Sequence, residues 1–101
     1  MTKPIDINWT TADGLHDGGI STGIGFTIAW QRGPLQDTRR NGAMLIEVLM
    51  SCRNQLAYFQ QGPYKCAENA AALDYLIGAI ELLEQRRSRR IAEGKHGTSE
   101  I

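Results

Sequence analysis

Two apolar stripes of helical period, joined by a link that can only reverse the chain, constrain this sequence most. In "NGAMLIEVLMSCRNQLAYFQQG", Leu45, Leu49, Cys52, Leu56 and Phe59 recur at steps of four and three, which aligns them on one face of an α-helix. Asn41 is the expected N-cap. Gly62 and Pro63 end the pattern, glycine as the residue after the C-cap and proline because it cannot continue a helix. A second helix begins near Cys66 and repeats the spacing through Asn69, Leu73, Leu76, Ile80, Leu83, Arg87 and Arg90. A parallel line of Ala72, Tyr75, Ala79 and Leu82 widens its apolar face, and Arg86 sits one turn beyond Leu82. The short "GPYK" link implies that the helices run antiparallel as a hairpin.

Upstream the period changes. "IDINW" alternates Ile5, Ile7 and Trp9, and "ISTGIGFTIAW" alternates Ile20, Thr22, Ile24, Phe26, Ile28 and Trp30. Period two reads as half-buried β-strand. The Asp-Gly pairs of "TTADGLHDGG" mark a turn or loop between the runs. The expected fold is therefore α+β: small antiparallel N-terminal strands followed by an antiparallel two-helix hairpin, assembled as an oligomer. Its expected organisation is a single domain over 1–101, with a strand-and-loop region at 1–36 and the helical hairpin and C-terminal tail at 37–98. The glycines of "GIGF" and "QRGP" suit bulges and turns, and a lone G-x-G is too weak to announce a phosphate loop.

A chain of 101 residues holds one small domain whose core is marginal alone, so burial in an oligomer is expected. Eleven Lys and Arg balance eleven Asp and Glu, which argues against bulk attraction to a nucleic-acid polymer or a membrane surface. The start "MTKPIDINW" lacks the apolar stretch of a signal peptide, and no apolar run is long enough to span a bilayer. A cytosolic location follows as the expectation. Cys52 and Cys66 then read as reduced, buried small hydrophobes, and two cysteines without matched histidine spacing make a poor metal set.

Against this neutral background, "RRSRR" gathers Arg86, Arg87, Arg89 and Arg90. Cations at a helix C-terminus meet the macrodipole favourably, and a charge run is often simply a solvated face. The other reading is an anion site, since Arg86 and Arg90 are spaced i, i+4 and their planar forks can converge on phosphate. Phe59 fits either a core position or a stacking platform, and Asn69 either a cap or a ligand contact. Hairpin geometry separates these groups. From Asn69 to Arg86 a helix rises roughly 25 Å at about 1.5 Å per residue, so one ligand could touch both ends only if a second subunit packed antiparallel. His16 and His96 lack a helical ligand spacing, no Ser or Cys has a nearby base, and no catalytic constellation is visible.

The order of "GFTIAWQRGPL", the long helical hairpin and "RRSRRIAEGKHGT" resembles a family of small bacteriophage proteins, the Thoeris anti-defence and anti-CBASS helical-hairpin family. Its Thoeris branch is the nearer, given the β-rich start. The resemblance spans about residues 23 to 98 and rests on W-Q-x-G-P-L, the F-Q…C-x-E-N joint and the R-x-x-x-R…G-x-x-G-T tail. It implies a sponge and not an enzyme, one that holds a nucleotide immune signal intact in the cytoplasm of the infected bacterial host. The implied ligand is a cyclic ADP-ribose isomer closed between two riboses, with no cofactor and no metal. The implied assembly is a homodimer, or a hexamer that also takes cyclic oligonucleotides.

By motif, Phe59 would stack on adenine, Asn69 would hydrogen-bond the base or a ribose, and Arg86 and Arg90 would clasp the pyrophosphate. Trp30 and Arg32 would form pocket walls, and His96, Gly97 and Thr98 a second, oligonucleotide site. Arg87, Ile91, Glu93 and Ser99 depart from the residues usual in the family tail but leave Arg86 and Arg90 in place. Two rivals remain: a helical nucleic-acid-binding module using the arginine cluster, and an enzyme cleaving the same nucleotide.

Overall fold

A computed structural model describes residues 3–100. Three strands, β1 (Ile5–Thr10), β2 (His16–Gly23) and β3 (Phe26–Trp30), precede two helices, α1 (Leu45–Phe59) and α2 (Ala67–Ala92). This is the α+β arrangement read from the sequence. By contacts the chain forms two compact units, one of residues 1–44 with 95–101 and one of residues 45–94.

In the first unit the strands form an antiparallel sheet of order β1-β2-β3. Ile5 pairs with Thr22 and Ile7 with Ile20, and the register slips between Asn8 and Thr10, leaving Trp9 at a bulge. The alternation from Ile20 to Trp30, expected as one strand, is folded in two. Gly23 pairs with Phe26, leaving a two-residue turn in which Gly25 takes a φ of 87°. That reversal pairs Ile20 with Ala29 and Ser21 with Ile28, so Ile20 and Ile28 fall on opposite faces and Ile24 lies exposed at the tip. Period two does not carry across a hairpin, which resets which residues share a face.

Polar side chains bind the strands across one face. Trp30 Nε1 donates to Ser21 Oγ at 2.7 Å, and Ser21 Oγ donates to Asp6 Oδ1 at 2.6 Å. Glycine permits two close approaches. Gly19 has a φ of +146°, and a Cβ there would lie 2.1 Å from the Ile7 carbonyl oxygen. A Cβ on Gly42 would lie 2.6 Å from the backbone of Trp30, where Ala43 bridges β3 by bonds from Gln31 N to Ala43 O (2.9 Å) and from Ala43 N to Ala29 O (2.8 Å). The tail joins this unit through Gln36 N donating to Gly97 O at 2.7 Å.

The second unit is the helical hairpin. On α2 the shielded positions are Asn69, Leu73, Leu76, Gly78, Ala79, Ile80, Leu83, Glu84 and Arg90, which contain the expected stripe with Arg87 turned out. On α1 the shielded side is instead Ile46, Leu49, Met50, Arg53, Leu56 and Ala57, and Leu45 and Cys52 are exposed; Cys66 is exposed too, so neither thiol is the buried hydrophobe expected. The run Leu45, Ile46, Val48, Leu49, Met50 is apolar around most of the helix, so spacing alone does not choose the inner face. Asn41 is not the cap of α1, which starts at Leu45. Nor is Gly62 a left-handed glycine; α1 unwinds through bonds from Gln61 N to Tyr58 O (3.0 Å) and Gly62 N to Phe59 O (3.3 Å). Cys66 caps α2 with extended backbone and accepts from Asn69 N at Sγ, 3.4 Å away. Gln60 closes the joint from both sides, its Oε1 accepting from Cys66 N at 3.1 Å and its Nε2 donating to Cys66 O at 3.2 Å. Among the described residues no helix is long and apolar enough to cross a membrane.

Apolar burial is slight. Among the described residues Ile80 is the one buried hydrophobic side chain, while Tyr75 remains 81% and Leu82 67% exposed. The chain exposes 7773 Å². Two separate globules, each of half the 11.2 kDa mass, would expose about 6,900 Å² by the size scaling of folded monomers. Accessible surface is thus in excess even when each unit is counted as its own globule.

Two substitutions separate the contributions. Gly19→Ala combines backbone strain with a clash and is expected to cost about 2–4 kcal/mol, whereas Gly62→Ala, with nothing near the added Cβ, should lie within about 0.5 kcal/mol of the parent. Gln60→Ala should destabilise the hairpin by about 1–2 kcal/mol through the two lost bonds. Urea midpoints followed by circular dichroism measure all three.

Candidate functional site

The helix joint brings several candidate groups together. Phe59, at the last turn of α1, has its ring centroid 6.2 Å from that of Tyr64, edge to face, and 6.4 Å from that of Tyr58. Tyr58 and Tyr64 are well exposed and Phe59 is on the margin of exposure, so the cluster is an aromatic surface and not a core. Asn69 stands in the first turn of α2, and its Nδ2 donates to the Tyr64 carbonyl at 3.1 Å. That carbonyl needs a donor, which fixes the amide's orientation and leaves Oδ1 as an acceptor with no partner among the described residues. The joint therefore offers a π-face, two phenol groups and one amide oxygen.

At the other end of α2 the four arginines differ. Arg87 pairs with Glu84 at 3.7 Å and Arg89 with Glu93 at 3.1 Å, both along the helix. These two are ordinary helix-surface pairs. Arg86 is exposed, and no hydrogen bond or ion pair engages it among the described residues. Arg90, one turn on, is 8% exposed. The i, i+4 pair thus consists of an open guanidinium and a buried one, separated from Asn69 by roughly 25 Å of helix.

In the sheet unit, Trp30 is half-buried and its indole N–H is engaged by Ser21. Arg32 is held closely. Its backbone N donates to Asn41 Oδ1 at 2.8 Å, and its carbonyl accepts from Asn41 Nδ2 at 2.9 Å. Its Nε donates to Asp17 Oδ2 at 3.1 Å, and its guanidinium carbon stands 5.2 Å from the centroid of Trp9. No local pattern marks this cluster: Trp9 reads as strand alternation, Asp17 as turn chemistry and Asn41 as a helix cap. In the tail, His96 is exposed, Gly97 has a φ of 77°, and Thr98 Oγ1 donates to Lys95 O at 2.6 Å and accepts from Glu100 N at 3.2 Å. The Thr98 hydroxyl is therefore engaged within its own turn. Phe59 and Asn69 share one end of the hairpin, Arg86 and Arg90 the other, and Trp30, Arg32 and residues 96–98 belong to the sheet unit.

No protein-family model matches the chain. It is 34% identical over 74 residues to a protein named Thoeris anti-defense 1 from Bacillus phage SBSphiJ7, a match that covers 73% of this chain and 52% of that relative. The chain thus spans about half the length of the curated relative it matches. With that identity carried through nearly three quarters of its residues, the chain belongs to a Thoeris anti-defence family of phage proteins.

Proposed function

We propose that the protein is a phage anti-defence sponge, binding a cyclic ADP-ribose isomer made by a TIR-domain enzyme and holding it uncleaved. The relationship to Thoeris anti-defense 1 carries the anti-defence part of this reading. The ligand class draws its support from the side chains left open in the helical unit. A cyclic ADP-ribose isomer presents one base with a π-face, several hydroxyls and two phosphate charges. Phe59 offers the stacking surface, the Asn69 oxygen accepts from an amine or hydroxyl, and Arg86 supplies an open fork for phosphate. Arg90 lies one turn away and adds positive charge from a buried position.

The distance along α2 makes the site intersubunit. A second copy lying antiparallel brings its Arg86 end beside the first copy's Phe59 and Asn69. The exposed line of Tyr75 and Leu82 that leads to Arg86 is the surface such a dimer would cover. Cyclic oligonucleotides are a further ligand class for the same assembly, at His96, Gly97 and Thr98. Sequestration asks for enclosure and a slow off-rate, and chemical turnover would defeat it. The nucleic-acid reading is weakened because Arg87 and Arg89 are neutralised by carboxylates on their own helix, leaving few cations for a polyanion.

The decisive experiment incubates the protein with a glycocyclic ADP-ribose, removes free ligand, heat-denatures the protein and assays what is released. Intact ligand is the expected outcome. Cleaved product would indicate an enzyme, and no retention combined with salt-sensitive DNA binding would replace this reading with the nucleic-acid one. Arg86→Ala and Arg90→Ala together should abolish retention. The single variants should differ: Arg86→Ala should leave stability within about 0.5 kcal/mol, whereas Arg90→Ala truncates a buried side chain and should cost about 1–3 kcal/mol. Retention assays paired with urea unfolding read both effects.

A further inference from the structure

The sheet unit contains an arginine that is paired through Nε while its terminal nitrogens carry no hydrogen bond among the described residues. Arg32 Nε is bonded to Asp17 Oδ2 at 3.1 Å, yet its side chain remains 61% exposed while that of Asp17 is 20% exposed. No hydrogen bond reaches Nη1 or Nη2 among the described residues. The stem is anchored at the backbone by both ends of the Asn41 amide, at 2.8 and 2.9 Å. The guanidinium plane is stationed over Trp9, 5.2 Å from the ring centroid. Gly18 makes this approach feasible: it has a φ of +81°, and a Cβ there would meet the carbonyl oxygens of Trp30 and Gln31 at 3.2 Å and the Arg32 Cβ at 3.3 Å. The glycine lets the chain carrying Asp17 lie against the chain carrying Arg32.

Other arginines contrast with it. Arg89 donates through its terminal Nη1 to Glu93 at 3.1 Å, and Arg87 Nη1 stands 3.7 Å from Glu84 as an ion pair, so each fork meets a carboxylate at its terminal end. Arg39, in the same loop as Arg32, is exposed, and among the described residues no bond orients its side chain. Arg32 alone among these combines restraint at the backbone, at Nε and at the ring plane with four terminal N–H donors left open. A fork restrained in this way loses less side-chain freedom when it closes on an anion, which is the physical content of preorganisation.

We infer that Asp17, Trp9 and Asn41 are positioning residues that hold Arg32 as a preformed receptor for a phosphate or pyrophosphate group. Asp17 orients the guanidinium through Nε and leaves both terminal nitrogens facing outward for bidentate contact. The inference rests on the sequestration reading only for the identity of the biological ligand; the receptor itself is defined by the four residues of the sheet unit.

Nuclear magnetic resonance of the 101-residue chain tests it with two probes, inorganic pyrophosphate and a glycocyclic ADP-ribose. Binding is followed on the Arg32 Nε–Hε resonance and, where that is absent, on the backbone amides of Gln31 and Gly33. Pyrophosphate should shift the Arg32 resonance in a saturable manner. Arg32→Lys keeps the charge but loses the fork, and should weaken that binding about tenfold or more. Asp17→Ala should weaken it about three- to tenfold by releasing the guanidinium. Asp17→Asn, which retains an acceptor oxygen for Nε, should restore it to within about twofold. Arg39→Ala should leave it within about twofold, because an unoriented surface cation adds little.

If Asp17→Ala and Asp17→Asn both tighten binding, Asp17 merely repels the anion and the assignment is wrong. It is equally wrong if Arg39→Ala weakens binding as much as Arg32→Lys does. Retention of the cyclic nucleotide with the Arg32 resonance unmoved by either probe overturns the receptor and leaves sequestration standing. A pyrophosphate-dependent shift without nucleotide retention supports the receptor while sequestration fails.

Discussion

Side-chain amides, more than apolar burial, fix the turns that carry Arg32 and the helix joint. Gln31 Oε1 accepts from the backbone N–H groups of Asn41 and Gly42 at 2.9 and 3.1 Å, while its Nε2 donates to Arg39 O at 3.1 Å. Asn41 returns the restraint to Arg32, Gln60 closes on Cys66, and Asn69 holds Tyr64. Turns leave backbone donors and acceptors without ladder partners, and here amide side chains supply those partners. Each such bond is worth about 0.5–1.5 kcal/mol net, modest singly but directional. With Ile80 the one buried hydrophobic among the described residues, direction matters more than bulk. The loops are placed by geometry, so Phe59, Asn69 and Arg32 have defined settings although little core lies beneath them.

The thin core also explains why the proposed ligand and the proposed assembly belong to one argument. Hydrophobic stabilisation scales with apolar area removed from water, about 25 cal/mol per Å². The line of Ala72, Tyr75 and Leu82 is on α2 but outside its shielded stripe, and it runs toward Arg86. A copy covering that line would gain the burial the isolated chain lacks. If antiparallel, the same contact would carry an open arginine to an aromatic surface it cannot reach within one chain. Folding energy and ligand geometry would then select the same interface.

Much of this was legible in the sequence, and what was not has a physical reason. The α2 stripe from Asn69 to Leu83 and the reversal at "GPYK" followed from helical period and chain breaking, both local effects. The α1 inner face did not, because an apolar residue at almost every position of "LIEVLM" carries no phase. The β-hairpin at Ile24 and Gly25 was hidden by an alternation that continues through the turn by coincidence of residue type. Asn41 signalled a cap because asparagine serves a helix start and a loop clamp through the same bonds to backbone, and only tertiary context separates the two. The cluster of Trp9, Asp17 and Arg32 joins residues distant in the chain, and no local signal marks it.

The "RRSRR" run shows how far residue type falls short of electrostatic role. Four adjacent guanidinium groups have one formal charge each, yet helical rotation gives them three different environments. Arg87 and Arg89 face carboxylates spaced three and four residues away on their own helix, and their fields are largely cancelled and screened. Arg90 rotates into the shielded stripe, where the lower local dielectric strengthens whatever it touches. Arg86 alone keeps an open fork in water. A helix-end cluster that looks like a polyanion site is thereby reduced to one exposed and one buried arginine. Such a pair suits a compact ligand with two phosphate charges better than an extended backbone with many.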